Sequence, residues 1–242
     1  MIKKIIENKL VPAFDYIYGF ANLQGLLPDE FMEYPYGISI GKRLDNNIVD
    51  LIENGPTLEY LNHYKNVNEE LTKLSINICD ELKKENINCI NIVPTVPTTS
   101  DEFKPYLKTL RYKISHKMIA TRAGLGWIGK TDLFISKNFG PRVRLASILI
   151  DRSAEITRQT IDKSKCGSCD ICVIRCPAQA ANGILWDINT DRDVFFDAHK
   201  CREKCGELAK LLLNKESRIC GICVSVCPHG KKSNNNRNPQ FG

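Results

Sequence analysis

The stretch that decides the fold is Cys166-Gly-Ser-Cys169-Asp-Ile-Cys172-Val-Ile-Arg-Cys176-Pro177. Three cysteines separated by two residues each, then a fourth cysteine followed by proline, form the spacing of bacterial two-cluster iron–sulfur modules. In such modules the first three thiolates wrap around one [4Fe–4S] cluster, and the fourth thiolate binds the other cluster. The stretch therefore predicts an iron–sulfur protein.

A second run, Cys220-Gly-Ile-Cys223-Val-Ser-Val-Cys227-Pro228, has the same ending but carries Ser217 in the place of a first cysteine. We expect the ligand sets to cross, so that the last cysteine of each run binds the cluster of the other run. The first cluster is expected on Cys166, Cys169, Cys172 and Cys227. The second cluster is expected on Cys176, Cys220 and Cys223, with a fourth thiolate from Cys201 or Cys205. The alternative is structural zinc on paired cysteines, but zinc needs neither the third cysteine nor a repeated Cys-x3-Cys-Pro.

Composition indicates a reducing environment for these cysteines. The chain has 242 residues, 43% hydrophobic and 26% charged, which excludes bulk disorder. Its 11 cysteines are an odd number, and the N-terminus MIKKIIENKL lacks the apolar core of a secretory signal. No apolar run approaches the roughly 18 residues that span a bilayer. We therefore expect a cytoplasmic protein without membrane association, whose clustered thiols bind metal or act in redox chemistry.

The charge distribution is uneven in one segment only. The net charge of +6 is too modest to indicate nucleic-acid binding by itself. Residues 103–131, however, contain seven Lys or Arg and no Asp or Glu. This segment is either a solvated helix face or a surface that meets an anionic ligand.

The motif Gly124-Leu-Gly-Trp-Ile-Gly-Lys-Thr131 fits both the dinucleotide-binding pattern and the Walker A pattern. Both patterns require a strand before the loop and a helix after it, so that the helix N-terminus faces the phosphates. Here the order is reversed, because a helical segment precedes the motif and a strand-like segment follows it. Two interpretations stay open: a tight connection with Trp127 in the core, or a turn where the backbone approaches a flat ligand.

Hydrophobic patterning predicts an α/β domain over residues 1–155, a ferredoxin-like double-cluster domain over 156–232 and a disordered tail over 233–242. Apolar residues at helical period predict a long helix after Pro56: Val67, Leu71, Leu74, Ile78 and Leu82. Further helices are expected at 2–10, 46–53, 102–122 and 201–213. Strands are expected at 37–41, 88–93, 132–136 and 143–150, the last two as a pair.

Several of these segments together resemble one known family. They are Arg122-Ala-Gly-Leu-Gly-Trp-Ile-Gly-Lys130, Cys166-Gly-Ser-Cys169 and Ile219-Cys-Gly-Ile-Cys-Val-Ser-Val-Cys-Pro228. They look like the epoxyqueuosine reductase family and, more distantly, are similar to reductive dehalogenases. The resemblance implies a cobalamin-binding α/β domain joined to a double [4Fe–4S] module, with electrons passing through the clusters to the corrinoid.

The sequence departs from this family in two places. The acid-free segment 103–131 lacks the aspartate that is the family's proposed proton donor. The chain ends 15 residues after Cys227, without the helical-repeat domain that helps those enzymes hold tRNA. The resemblance therefore implies a short paralogue with the same redox core, and tRNA is not the expected substrate.

The resemblance also assigns residues by position. It places corrinoid contacts on and near the glycine motif, at Gly124, Gly126, Trp127, Gly129, Lys130 and Lys117. It favours Cys201 over Cys205 as the fourth ligand of the second cluster. Proton donors are expected among His116, His63 and Tyr64, since an imidazole with a pKa of ~6.5 can replace the missing carboxylic acid. The alternative for each histidine is a purely structural role.

Three functions are compatible with these features. The leading hypothesis is an oxidoreductase that takes electrons from a ferredoxin or flavodoxin and reduces a small-molecule or cofactor substrate through a corrinoid. The second is an activating protein that reduces the corrinoid of a partner. The third is a phosphate-loop protein with an appended ferredoxin module.

Overall fold

A computed structural model describes residues 1–95, 98–156 and 158–232. The helices within these residues are α1 (Ile2–Lys9), α2 (Asn46–Asp50), α3 (Leu58–Lys84), α4 (Phe103–Thr109), α5 (His116–Arg122), α6 (Ile171–Ile174), α7 (Arg192–Phe195), α8 (Ala198–Leu213), α9 (Ile222–Val226) and α10 (Pro228–Lys232). The strands are β1 (Tyr16–Asn22), β2 (Tyr36–Arg43), β3 (Cys89–Ile92), β4 (Gly126–Ile128), β5 (Phe134–Ser136) and β6 (Val143–Ile150). The tail expected to be disordered, 233–242, lies outside the described residues.

The chain divides into two compact units that do not follow chain order. Within the described residues, the sheet unit comprises 1–42, 67–125 and 144–161, and the cysteine unit comprises 43–66, 126–143 and 162–232. This grouping differs from the boundary expected at residue 155, because two earlier segments pack with the cysteine-rich segment. The domain boundaries at 155 and 232 stay a prediction.

The sheet unit is built on a sheet whose described strands lie in the order β1-β2-β6-β3. β1 and β2 are antiparallel, with Tyr18 opposite Ile40. β3 and β6 are also antiparallel, with Ile90 opposite Leu149. β6 reads Val-Arg-Leu-Ala-Ser-Ile-Leu-Ile and is buried along almost its whole length, as a short apolar run in a central strand should be.

The long helix predicted after Pro56 is confirmed as α3, which has 27 residues. Four residues of its predicted apolar stripe are buried: Val67, Leu71, Ile78 and Leu82. Burying one side chain of this size stabilises the fold by about 1.5–3 kcal/mol. The helix at 2–10 and the strands at 37–41 and 88–93 are also confirmed, as α1, β2 and β3. β1 was not predicted from the sequence.

The single helix expected over 102–122 is wrong, because the chain forms α4 and α5 with a break between them. α4 ends at Leu110, whose φ of 51° lies in the left-handed region and cannot continue a right-handed helix. α5 begins after Ser115, whose side chain accepts a hydrogen bond from Met118 N as an N-cap. Ser115 therefore starts a second helix within the stretch whose apolar spacing predicted a single helix.

The strands expected at 132–136 and 143–150 form, but the prediction that they pair with each other is wrong. β5 pairs with β4, with Trp127 opposite Ile135, whereas β6 belongs to the sheet unit. The glycine motif is thus partly a strand. A Cβ at Gly126 would lie 2.1 Å from the Ile135 carbonyl oxygen, so glycine lets the two strands meet.

The cysteine unit is held together by a buried cation. The guanidinium of Arg142 has no exposed surface and donates to the Asp50 carboxylate at 2.5 Å and to Asn46 Oδ1 at 3.1 Å. It also donates to the Ser225 carbonyl at 3.4 Å. These hydrogen bonds tie segments 43–66 and 126–143 to the segment that carries the cysteines. No helix of the described residues is both long and apolar enough to span a membrane.

Candidate metal centre

Five thiols line one cavity in the cysteine unit: Cys166, Cys169, Cys172, Cys223 and Cys227. Four of them are the predicted ligands of the first cluster, and we call these four the first thiol group: Cys166, Cys169, Cys172 and Cys227. Burial raises the pKa of Cys172 to about 11, with Cys227 and Cys166 as further causes. Burial likewise raises the pKa of Cys227, again with Cys166 as a neighbour. The last cysteine of the second run therefore lies with the first run.

The local sequence explains how both runs turn so tightly. Each run places a glycine directly after its first cysteine, and Gly167 and Gly221 have φ values of 56° and 89°. Glycine adopts this left-handed conformation without the steric cost that a Cβ imposes. α6 follows the first glycine, α9 follows the second, and these two short helices pack against each other. This packing brings Cys227, which directly follows α9, to the first run.

The other five thiols of the cysteine unit form what we call the second thiol group: Cys176, Cys201, Cys205, Cys220 and Cys223. Burial raises the pKa of Cys223 well above its ordinary value, and the neighbours that add to this shift are Cys220, Cys201, Cys172 and Cys176, so Cys223 lies near thiols of both groups. The Cys205 thiol hydrogen-bonds to Cys201 and Cys220. The bond between Cys205 and Cys220 lowers the pKa of Cys220 to about 7. Cys176, the last cysteine of the first run, thus lies with the second run.

Both candidates for the fourth ligand of the second cluster lie in this group. Cys201 and Cys205 are four residues apart on α8, so their side chains share one helix face. Cys201 has both Cys205 and Cys220 as neighbours. The preference for Cys201 over Cys205 stays a prediction.

The donor set fits iron–sulfur clusters better than single ions. Among the residues that the structure describes, no group of three or more His, Cys, Asp or Glu could hold one metal ion. A zinc site needs four donors that converge at about 2.3 Å from one ion. Four thiols around an open space are instead the donor set of a [4Fe–4S] cubane, whose irons are held by cysteine thiolates.

The β4–β5 hairpin, residues 126–136, contacts the first thiol group. The indole N–H of Trp127 donates to Cys166 Sγ at 3.4 Å. The Trp127 ring is 5% exposed and meets the His229 ring edge-on, with the ring centroids 5.1 Å apart. The ammonium of Lys130 is buried and lies 2.6 Å from the Asp170 carboxylate. Trp127 and Lys130 thus contact the cysteine segment.

The glycines of the motif also pack against the chain itself. A Cβ at Gly124 would lie 2.5 Å from the Gln159 carbonyl oxygen. A Cβ at Gly129 would lie 3.1 Å from Ile135 and 3.6 Å from Cys166 Sγ. Lys117 is half-buried on α5 in the sheet unit. These contacts explain Gly124, Gly126 and Gly129 without a ligand, and the corrinoid contacts implied by the resemblance stay a prediction.

His116 has partners for both ring nitrogens. Its Nδ1 lies 2.9 Å from Ser147 Oγ, and its Nε2 lies 2.9 Å from the Val93 carbonyl oxygen. Burial lowers its pKa to about 4, and the nearby Arg144 lowers it further. The imidazole is therefore neutral at physiological pH. This geometry favours the structural alternative over proton donation.

His63 and Tyr64 belong to the cysteine unit, whereas His116 belongs to the sheet unit. The Nε2 of His63 accepts a hydrogen bond from the Asp45 backbone N–H at 2.9 Å. That nitrogen is therefore unprotonated, and it supports the start of α2, which Asp45 caps. The Tyr64 ring lies 6.5 Å from the Tyr60 ring. The catalytic roles predicted for these residues stay predictions.

Sequence reasoning missed four residues that contact the first thiol group or Lys130, which lines its cavity. The Thr131 hydroxyl hydrogen-bonds to Cys172. The backbone N–H groups of His229 and Gly230 donate to Cys227. Asp170 holds Lys130. A signal existed for Asp170 alone, since it stands between two predicted ligands, whereas the other contacts depend on how β4, β5 and α10 pack.

No family model matches this chain. Its similarity to individual proteins is nevertheless clear. It is 29% identical to the epoxyqueuosine reductase of Cyclobacterium marinum over 157 residues, which are 58% of this chain and 49% of that protein. It is 31% identical to the epoxyqueuosine reductase of Lactococcus garvieae over 130 residues, which are 51% of this chain and 34% of that protein.

The chain is a distant homologue of epoxyqueuosine reductases. The matched region spans about half or less of the length of these relatives. The fold of this chain also resembles the folds of solved structures. A catabolic reductive dehalogenase in complex with 3-bromo-4-hydroxybenzoic acid aligns with a TM-score of 0.62 at 13% identity, covering 88% of this chain and 30% of that one. An epoxyqueuosine reductase with a modified tRNA stem loop aligns with a TM-score of 0.56 at 17% identity, covering 96% of this chain and 65% of that one.

Proposed function

We propose that this chain is an iron–sulfur oxidoreductase that passes single electrons through two [4Fe–4S] clusters to an acceptor. When bound, the clusters supply one-electron transfer at low potential. The first thiol group would hold one cluster. Cys176, Cys220 and Cys223, with Cys201 as the fourth ligand, would hold the other. A ferredoxin or flavodoxin is the proposed electron donor, and a small molecule or cofactor is the proposed substrate.

The observation that carries this proposal is the crossed membership of the two thiol groups. Cys227 comes from the second run but lines one cavity with Cys166 and Cys172, and Cys176 comes from the first run but neighbours Cys223, which itself lies near Cys172 as well. Crossing is the arrangement that two-cluster modules use. Two independent zinc sites give no reason for the last cysteine of each run to change places. The ferredoxin-like character of this segment is part of the same proposal.

The identity of the electron acceptor is less well supported than the two clusters. Homology to epoxyqueuosine reductases suggests a corrinoid. Of the predicted corrinoid contacts in the cysteine unit, Trp127 and Lys130 are buried, and the glycines Gly126 and Gly129 pack against Ile135. We therefore derive no step through a corrinoid. The second candidate, an activating protein that delivers electrons to a partner's corrinoid, is favoured by these same buried contacts.

The phosphate-loop hypothesis does not agree with the structure. α5 precedes the glycine motif, and β4 lies within it. The segment that follows Lys130 leads to β5 rather than into a helix. No helix N-terminus is therefore presented to phosphates at this motif, as a phosphate loop requires.

The decisive test is the metal content of the anaerobically purified protein. Two clusters predict about eight iron and eight sulfide per chain. Cys172→Ser should reduce both numbers to about four. Cys79→Ser is the matched control, because Cys79 is a buried thiol of the sheet unit, and it should leave both numbers unchanged. Zinc in place of iron, or four or fewer iron atoms in the unmodified chain, would overturn the two-cluster proposal.

A cobalamin titration separates the enzyme from the activating protein. If the chain itself uses a corrinoid, adding cobalamin to micromolar protein should change the corrinoid absorption spectrum with a saturable dependence on protein. If the chain is an activating protein, the spectrum should stay that of free cobalamin, while the reduced clusters still pass electrons to an added acceptor dye.

A further inference from the structure

Two cysteines of the sheet unit belong to neither thiol group and contact each other. Cys79 lies on α3 and Cys89 is the first residue of β3, and both are free thiols, 4% and 8% exposed. The Cys89 Sγ lies 3.4 Å from the Cys79 carbonyl oxygen. The two thiols are also hydrogen-bonded to each other. The fold therefore brings a pair of thiols together between the end of a helix and the start of a strand.

The connection between α3 and β3 holds this pair in place. Cys79 lies on the buried side of α3, one turn before Leu82. Only residues 85–88 separate the helix from the strand, and Asn86, with a φ of 57°, turns the chain there. Ile87 is fully buried, which fixes the return into β3. A disulfide needs its sulfurs at about 2.05 Å, so two thiols in hydrogen-bond contact reach that distance by a small shift.

The two thiols of the pair are not equivalent. The hydrogen bond from Cys79 lowers the pKa of Cys89, although burial opposes this effect. The same bond, together with burial, raises the pKa of Cys79. Among the charged neighbours, Lys83 lowers the pKa of both thiols and Asp80 raises it, while Asp151 raises the pKa of Cys89. Because the thiolate is the attacking species in thiol–disulfide exchange, Cys89 is the attacking sulfur and Cys79 is the one that follows.

We infer that Cys79 and Cys89 are an oxidation site of the sheet unit, which forms a disulfide with a low-molecular-weight disulfide as the oxidant. The Cys89 thiolate attacks one sulfur of the oxidant, the S–S bond of the oxidant breaks, and the released thiolate takes up the proton that Cys89 lost. Cys79 then gives up its proton and attacks the Cys89 sulfur of the mixed disulfide, so that the second small thiol leaves. Two protein thiols are oxidised to one disulfide, and one small disulfide is reduced to two thiols.

The position of the pair determines how this reaction is best observed. β3 lies at one edge of the described sheet, and the exposed Asn88 directly precedes Cys89. Buried thiols react slowly, so the oxidant reaches Cys89 when the connection 85–88 opens locally. The reaction should therefore be measured at equilibrium. The inference does not depend on the proposed function, since neither cysteine belongs to a thiol group that is proposed to bind a cluster.

The test is an anaerobic titration of the full chain in mixtures of reduced and oxidised glutathione. After equilibration, the free thiols are alkylated under denaturing conditions and the chain is digested with trypsin. Trypsin cuts after Lys83 and Lys84, between the two cysteines, so only a disulfide keeps the two cysteine peptides joined. The ratio of joined to separate peptides, read by mass spectrometry, should change about tenfold for each 30 mV of buffer potential, as a two-electron couple requires.

Two serine variants test the order of attack. Cys79→Ser keeps a hydroxyl donor beside Cys89 but removes the second sulfur, so Cys89 should accumulate as a mixed disulfide with glutathione. Cys89→Ser removes the attacking sulfur, and Cys79 should stay a free thiol in the same buffers. The two variants are matched, because each one exchanges a single sulfur of the pair for oxygen.

Separate peptides at every buffer potential would overturn the inference. This result comes from the unmodified chain, so it is obtained even if a serine variant does not fold. Glutathione on Cys79 in Cys89→Ser, with none on Cys89 in Cys79→Ser, would overturn the order of attack. A lack of iron in the unmodified chain would contradict the proposed function instead, and the joined peptide of Cys79 and Cys89 would still be expected.

Discussion

The sheet unit and the cysteine unit satisfy their buried polar groups in opposite ways. In the sheet unit, His116 is surrounded by protein partners for both ring nitrogens. In the cysteine unit, buried thiols have other thiols as neighbours, and burial raises the pKa of Cys172, Cys223 and Cys227. The buried imidazole of the sheet unit therefore needs no ligand from outside the protein, whereas the buried thiols of the cysteine unit are groups that can bind metal. This difference predicts which unit depends on iron.

Removing the iron should give the largest effect. Structural metal sites contribute free energy on the order of 10 kcal/mol to the domain that holds them. After anaerobic chelation, we expect amide protons of the cysteine unit to lose most of their protection, while those of residues 67–84 of α3 and 144–150 of β6, which lie in the sheet unit, keep theirs. Hydrogen exchange read by mass spectrometry resolves the two units. Equal loss of protection in both units would contradict the comparison.

The two candidate ligands on α8 give the next largest effect. Cys201→Ser should reduce the iron content from about eight to about four atoms, because it removes a ligand of one cluster. Cys205→Ser should keep about eight, since Cys205 then acts only as a hydrogen-bond neighbour. Iron and sulfide assays on both variants, purified side by side, check this. If Cys205→Ser loses a cluster and Cys201→Ser does not, the two assignments must be exchanged.

Sequence reasoning succeeded where a local pattern carries the structure. The cysteine spacing depends on a tight loop and short helices, so the two runs of residues alone are enough to predict a crossed grouping, and the iron assays above test it. The stripe on α3 is equally local, because helical period brings Leu71 and Ile78 to one face. The same holds for the glycine motif, where the order of the flanking helix and strand is by itself enough to exclude a phosphate loop.

Sequence reasoning failed where distant segments decide the structure. β5 pairs with β4 rather than β6, since Gly126 lets the backbone approach Ile135, and no local signal favours one partner over the other. The donors on the first thiol group come from the hairpin and from α10, far apart in the chain. The two interpretations of Trp127, a core residue or a face for a flat ligand, could not be separated from the sequence, because its partner Cys166 lies 39 residues away.

The third prediction concerns pH and tests the sheet unit. The pKa of His116 is about 4 in the folded protein and ~6.5 when unfolded, so folding favours the neutral form. Stability is therefore fully present above pH ~6.5 and is lost as the pH falls toward 4. The loss should reach about 1 kcal/mol near pH 5.5 and about 3 kcal/mol near pH 4.

Urea unfolding followed by circular dichroism at several pH values measures this loss. His116→Gln should be less stable at pH 7.5 but should show a flatter dependence on pH. Replacing the exposed His199 by glutamine is the matched control and should keep the slope of the unmodified chain. An unchanged slope in His116→Gln would show that other groups cause the acid sensitivity.

The smallest effect is expected at the ion pair that joins the hairpin to the cysteine loop, and here the two partners should not be equivalent. The Lys130 side chain is 4% exposed, whereas that of Asp170 is 44% exposed. Asp170→Asn leaves a buried cation without its carboxylate, which should cost about 2 kcal/mol. Lys130→Met instead leaves a carboxylate that water can reach and places an apolar chain in the buried space, so the cost should be about 1 kcal/mol or less. Thermal unfolding of both iron-loaded variants checks the order. If Lys130→Met is the more damaging change, Lys130 stabilises the cysteine unit through the thiols rather than through Asp170.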